Sequence, residues 1–239
     1  LRPMLMGETF FLCGGKDEDV RLLEPFMAAL EMIHTYSLVH DDLPAMDNDM
    51  YRRGKKTTWA VYGDAFGVLA GDGLLNYAFE TAARALKACE ERENLADFKK
   101  VSKALAILGK KAGIYGMIGG QTADIEAEDQ KEAVTGEQLM FIHEHKTAAL
   151  IEAAMMIGAV LAGAEKEKVE ALEYCASNVG IAFQIQDDLL NLIGAKEAKE
   201  KDFRSDITEG KRTLVVVHAL KHSDQRERLI EILSSKTTD

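Results

Sequence analysis

Proline is nearly absent from this chain. Its 239 residues hold three, Pro3, Pro25 and Pro44, and none follows Pro44. A proline inside a helix costs about 3 kcal/mol, because it removes an i→i−4 hydrogen bond and its ring collides with the preceding turn. A long tract without proline therefore suits helix nearly throughout, and β-branched runs are scarce apart from Leu214-Val215-Val216-Val217. The expected fold class is all-α, a single large bundle around a central cavity, with length enough for a sizeable core. Apolar residues make up 47% of the chain, too many for disorder, and the net charge of −11 argues against a general nucleic-acid binder. Cys13, Cys89 and Cys175 stand far apart, so neither a disulfide framework nor a zinc ribbon is readable. With no signal peptide at Leu1-Arg2-Pro3, the expected location is cytoplasmic. The longest apolar stretch, residues 148–164, contains Glu152 and reads as a buried helix, not a membrane span.

Hydrophobic periodicity marks helices over residues 22–42, 64–91, 98–119, 135–162, 165–192, 213–220 and 225–233. Over residues 64–91, Phe66, Leu69, Leu74, Ala78 and Ala82 recur at three- and four-residue steps. Thr135, three residues before Gln138, reads as a capping box. Gly119-Gly120 is expected either to bend its helix or to admit another backbone. Residues 43–59 read as irregular, and the acidic, Lys-rich stretches 126–132 and 195–206 as surface loops. No linker divides the apolar faces, so one domain over residues 1–239 is expected.

The most unusual stretch is His40-Asp41-Asp42-Leu43-Pro44-Ala45-Met46-Asp47-Asn48-Asp49, followed by Arg52-Arg53-Gly54. Four carboxylates in nine residues repel one another unless something cationic gathers them. Mg²⁺ does so, since it takes hard oxygen ligands and bridges carboxylates to phosphates. Asp41 and Asp47 would lie about 240° apart on an unbroken helix, so they can share a cluster only if the chain breaks between them, and Pro44 sits there. The arginine pair suits an anion, because guanidinium forks bind phosphate oxygens. An acidic helix end with a solvated loop is the plain alternative.

A second cluster, Phe183-Gln184-Ile185-Gln186-Asp187-Asp188-Leu189-Leu190-Asn191, puts Gln184, Asp187, Asp188 and Asn191 at i, i+3, i+4 and i+7. Adjacent aspartates in an apolar helix are costly unless paired or metal-bound. Lys146-Thr147, Lys201 and Lys211 supply cations between and after the clusters, and Gly119-Gly120-Gln121 with Asp124 adds polar groups one turn apart. His143 and His145 point to different faces, so a histidine metal pair is not expected.

At these residues the sequence resembles the trans-polyprenyl diphosphate synthases. Asp41-Asp42-Leu43-Pro44-Ala45-Met46-Asp47 is similar to the first aspartate-rich motif in its bacterial form. Phe183-Gln184-Ile185-Gln186-Asp187-Asp188 is similar to the second. Gly119-Gly120-Gln121-Thr122-Ala123-Asp124 resembles the Gly-Gly-Gln-x-x-Asp segment, and Lys146-Thr147 the Lys-Thr pair. The resemblance implies an all-helical prenyltransferase that joins an allylic diphosphate to isopentenyl diphosphate, with about three Mg²⁺ ions per site. It implies Asp41, Asp47 and Asp187 as metal ligands supported by Asp42 and Asp188. Arg52, Lys146, Thr147, Gln184 and Lys201 would hold the allylic diphosphate. Arg2, His34 and Arg53 would hold isopentenyl diphosphate, and Lys211 matches a late lysine at the site mouth. Tyr36, five before the first aspartate, and Ser37 would floor the product channel, which implies a short product: fifteen-carbon farnesyl, with twenty-carbon geranylgeranyl next. The family also implies a homodimer, and a chain truncated at both ends relative to its full-length members. A terpene cyclase or an inactive partner subunit would share much of this pattern. A di-iron bundle would need two Glu-x-x-His motifs, and only Glu31-Met32-Ile33-His34 is present.

Overall fold

The computed structural model describes residues 1–91, 93–129, 134–193, 207 and 213–235. Among them helix dominates: α1 (Arg2–Leu12), α2 (Val20–Asp41), α3 (Thr58–Tyr62), α4 (Asp64–Glu91), α5 (Leu95–Ala112), α6 (Met117–Asp129), α7 (Gly136–Ile142), a π turn (His143–Ala148), α8 (Ala149–Ala162), α9 (Lys166–Ile193), α10 (Leu214–His222) and α11 (Arg226–Ser235). One two-residue hairpin, β1 (Tyr51–Arg52) with β2 (Lys55–Lys56), interrupts them.

Three expectations are corrected. Helix α1 carries no marked periodicity, yet it forms. Pro3 sits in its first turn, where the missing N–H is no loss, and Met6 and Phe10, one turn apart, are fully buried. The expected helix over 98–119 is two helices. It stops at Ala112 because Gly113 turns extended (φ −88°, ψ −159°), and helix resumes at Met117. The expected loop at 126–132 begins as helix, since α6 runs on to Asp129; its remainder, and the loop at 195–206, lie outside the described residues. The Thr135–Gln138 capping box is present, with both reciprocal bonds made.

The core centres on α8, whose Leu150, Ile151, Ala153, Ala154 and Ile157 are buried. Helices α1, α2, α5 and α9 all pack on it. On α2, Phe26, Leu30 and Ile33 face inward as the spacing requires. Helix α4 forms over the expected residues, but its recurring apolar positions divide between core and surface. Ala78 and Ala82 are buried and Leu74 packs on the core, but Phe66 and Leu69 are 64% and 63% exposed. The buried face of α4 is built mostly from small residues, Gly67, Gly71, Ala78, Ala82 and Ala85; Gly71 faces His40 of α2, and Gly67 faces Leu43 and Trp59. The two helices approach so closely that only small side chains fit there, and the large apolar ones turn outward.

The continuous helix Gly136–Ala162 is long and apolar enough to cross a membrane by length and composition, with an 18-residue window of mean hydropathy 1.3. Inside the molecule 61% of that window is buried, and Glu152 lies within the helix. The Lys111 ammonium donates to Glu152 and, at 2.7 Å, to Glu173, which ties α5, α8 and α9 together. Burial opposes the charge on Lys111, but the two carboxylates outweigh it and raise its pKa.

Candidate active site

Helix α2 ends at Asp41, and the chain folds back at once. The Asp47 N–H donates to the Asp41 carbonyl at 2.9 Å, and the N–H groups of Met46 and Asn48 both reach the Leu43 carbonyl. The break that the sequence demanded between the two aspartates is this turn, with Asn48 in the left-handed region (φ 55°). Beyond it the β1–β2 hairpin turns on Arg53 and Gly54, both at positive φ, as a two-residue hairpin prefers. The Arg52 guanidinium donates to Asp42 at 2.6 Å and to Asp49 at 3.4 Å. Burial raises the Asp42 carboxyl and Arg52 opposes that rise; the pKa of Arg52 itself goes up, because Asp42, Asp49 and Asp41 outweigh its burial. The Asp49 carbonyl accepts from Thr57 Oγ1 (2.7 Å) and Trp59 Nε1 (2.9 Å), which fastens the loop to α3.

A cationic corner adjoins this turn. Arg2, His34 and Arg53 lie close enough that the two arginines, after burial, hold the His34 imidazole down at about 4, with Arg52 contributing. Arg2 is itself lowered, by burial first and with Arg53 adding to it, while Glu31 opposes. Its Nε is buried with no hydrogen-bond partner among the described residues. Gathered guanidinium groups with an unanswered donor suit an anion.

The second cluster forms around the π turn. The Lys146 ammonium donates to Asp124 on α6 at 2.5 Å. Thr147 donates to Gln184 Oε1 at 2.7 Å, and the Gln184 amide donates to Asp188 at 2.9 Å, which joins the π turn to α9. A Cβ on Gly120 would collide with the backbone of Lys146, so Gly120 admits another backbone and the bend lies at 113–116 instead. Gly180 of α9 does the same on the other side, where a Cβ would come within 2.5 Å of Ala148. π Turns inside α-helices are frequent at functional sites, and this one places Lys146 and Thr147 on α6 and α9 respectively.

The two Asp-Asp pairs share a pattern. Asp42 and Asp188 are each 4% exposed and bonded into the protein, whereas Asp41 and Asp187 are half-buried. Among the described residues no three His, Cys, Asp or Glu side chains converge into a metal cluster. Mg²⁺ does not require one: it is commonly held by one or two carboxylates with phosphate and water completing its shell. The donor set at 41, 47 and 187 is all carboxylate oxygen, which fits that ion. Helices α2 and α9 each pack on α8.

Tyr36 is 5% exposed in the core, its hydroxyl without a partner among the described residues, and its ring meets His40 edge-on at 5.7 Å. Burial and then Asp41 push the phenol up to about 12. Ser37 donates to the His34 carbonyl. Lys201 and Lys211 lie outside the described residues. Sequence reasoning gave no role to Trp59 or His143, because their partners are fixed only by the fold, and it counted Asp49 only among the clustered carboxylates without its bonds to Arg52, Thr57 and Trp59. The buried His143 imidazole has Nε2 3.8 Å from Asp188, beyond hydrogen-bond range, and burial lowers its pKa against the pull of Asp124.

The family model described as polyprenyl synthetase matches residues 1–239. A short chain isoprenyl diphosphate synthase of Methanocaldococcus jannaschii is 42% identical over 238 residues, 99% of this chain and 67% of that protein. A farnesyl diphosphate synthase of Bacillus subtilis is 42% identical over 228 residues, 93% of this chain and 72% of that one. Among solved structures, a geranylgeranyl pyrophosphate synthase superimposes with TM-score 0.84 at 26% identity, covering 100% of this chain and 68% of the other. A geranyltransferase from Helicobacter pylori, complexed with magnesium and isoprenyl diphosphate, gives TM-score 0.76 at 30% identity, covering 98% and 81%.

Proposed function

This chain belongs to the polyprenyl synthetase family and has the isoprenoid synthase fold, and on that premise we propose how its residues divide the work and what product they release. It is a short-chain trans-prenyl diphosphate synthase, a prenyltransferase. The observation that carries the reading is the cationic corner of Arg2, His34 and Arg53, with the buried Arg2 Nε unanswered among the described residues, beside an acidic turn in which Arg52 bonds Asp42.

Isopentenyl diphosphate sits in that corner, on Arg2 and Arg53 and beside His34. Arg52, Lys146, Thr147 and Gln184 hold the allylic diphosphate, with Lys201 and Lys211 assigned to the same site on sequence grounds alone. Asp41, Asp47 and Asp187 would hold Mg²⁺, and Asp42 and Asp188 anchor the turn and the helix that carry them. Mg²⁺, when bound, would supply positive charge to neutralise the diphosphate leaving group. Arg52 and Lys146 aim fixed positive charge at that developing anion, which needs no reorganisation when the C–O bond breaks. The electrons of that bond leave with diphosphate. The isopentenyl double bond then attacks the allylic cation, and loss of a proton restores a double bond in the longer chain.

Tyr36 is the bulky floor of the channel beneath Asp41, so the product is farnesyl diphosphate, with geranylgeranyl diphosphate next. The exposed row Phe66, Leu69 and Tyr77 on α4 suits a second copy of the chain, hence a homodimer. Cys13, Cys89 and Cys175 are free thiols, which accords with a cytoplasmic location.

The test is an incubation with Mg²⁺, dimethylallyl diphosphate and isopentenyl diphosphate, followed by chromatography. A linear fifteen-carbon diphosphate is expected. A cyclic hydrocarbon would point to a cyclase, and no turnover to an inactive partner subunit; either would overturn the proposal.

A further inference from the structure

Helix α4 carries none of the metal- or diphosphate-binding residues assigned above, yet it holds the acidic turn in place. Two glycines one turn apart make a notch in its surface. A Cβ on Gly71 would collide with the imidazole of His40, and a Cβ on Gly67 would come within 2.7 Å of the Leu43 side chain. His40 and Leu43 are the residues that bracket Asp41-Asp42. The notch thus seats the turn from both ends. Within it, His40 Nε2 lies 3.1 Å from the Val68 carbonyl. A carbonyl oxygen only accepts, so Nε2 carries the hydrogen and donates. That bond reaches a carbonyl of α4 itself, so it ties one helix directly to the other. Asp72 Oδ1 stands 3.8 Å from the same nitrogen, on the exposed side. The Tyr36 ring meets the imidazole edge-on. The His40 carbonyl accepts from the Leu43 N–H at 3.1 Å, the first bond of the turn that brings Asp47 back to Asp41.

We propose that His40 is a positioning residue: seated over Gly71 and bonded to the Val68 carbonyl, it fixes the direction of Asp41 and Asp47 for a divalent cation. The inference rests on the functional reading above and goes beyond it, since His40 touches neither diphosphate nor cation. Its logic is that of groups that orient metal ligands, whose loss commonly weakens binding by about 10- to 100-fold. A Gln at position 40 keeps a nitrogen donor at the end of a side chain of similar reach. A Phe keeps the ring and loses the donor.

The probe is Mn²⁺ with inorganic pyrophosphate, titrated into the protein and read by the paramagnetic signal of the unbound ion. His40→Phe is expected to weaken Mn²⁺ uptake by about tenfold or more, and His40→Gln to restore it to within about threefold of wild type. Gly71→Ala leaves the imidazole intact but pushes it off its seat, and is expected to act like His40→Phe. In the double variant Gly71→Ala, His40→Ala the added methyl has room, so the two losses should not add. Gly71→Ala keeps the question answerable if the His40 variants do not fold. Unchanged Mn²⁺ affinity in His40→Phe and Gly71→Ala, or equal loss in the Gln and Phe variants, would overturn the inference. Wild-type protein that takes up no Mn²⁺ with pyrophosphate would overturn the functional reading and this inference with it.

Discussion

Tyr36 and His34 show how one turn of α2 serves two purposes. Tyr36 is buried, and its hydroxyl has no partner among the described residues, so its bulk is what the site uses. Tyr36→Ala opens the channel floor, and chromatography of the products is expected to show longer chains; an unchanged distribution would contradict the assigned floor. His34 makes a prediction about pH. Its imidazole is held at about 4 in the folded protein, first by burial and then by Arg2 and Arg53, against an ordinary value of 6.5. The unfolded chain therefore binds the extra proton first, and stability falls as pH drops from about 6.5 to about 4. Denaturant unfolding at pH 7, 5.5 and 4 is expected to show that loss, and His34→Asn to flatten it. At this scale the sequence was most informative where residue type alone dictates chemistry. Paired aspartates and paired arginines announced an anion and a hard cation. Trp59 and His143 stayed silent, because an indole bonded to the Asp49 carbonyl and an imidazole buried beside Asp188 acquire their neighbours only through the fold.

The elements were legible where apolar spacing was long and regular, as in α2, α4 and α9. Two features escaped for physical reasons. Helix α1 buries little beyond Met6, Thr9 and Phe10, too few positions to set a period. The break at Gly113 depends on one backbone rotation that no side-chain pattern records. The π turn was equally hidden, since His143–Ala148 reads as ordinary helix, yet it sets Lys146 against Asp124 and Thr147 against Gln184. Gly120 lets α6 close on that turn. Gly120→Ala is expected to lower kcat/KM by about 100-fold, as small displacements of positioning groups do, with helical content by circular dichroism unchanged. Activity within a few-fold of wild type would show that the close approach is not needed.

Over the whole molecule, proline scarcity and apolar content were enough to give an all-helical bundle, but not which faces look outward. Phe66 and Leu69 share the helical spacing of Ala78 and Ala82 yet lie at the surface, because α4 buries mostly its small residues. Together with Tyr77 they form the outward apolar row assigned to a second copy. Phe66→Glu with Leu69→Glu is expected to shift the protein from dimer to monomer in sedimentation velocity. A wild-type monomer, or a dimer indifferent to both substitutions, would contradict that assignment.

The account rests on one diphosphate being gripped from two sides, by the Asp41–Asp47 turn and by Asp187 on α9. A crystal grown with Mn²⁺ and pyrophosphate locates the ions by anomalous scattering. The account predicts manganese against Asp41 or Asp47 and against Asp187, with both bridged to the same pyrophosphate. Manganese at one wall alone, or a pyrophosphate bound away from Arg52 and Lys146, would contradict it.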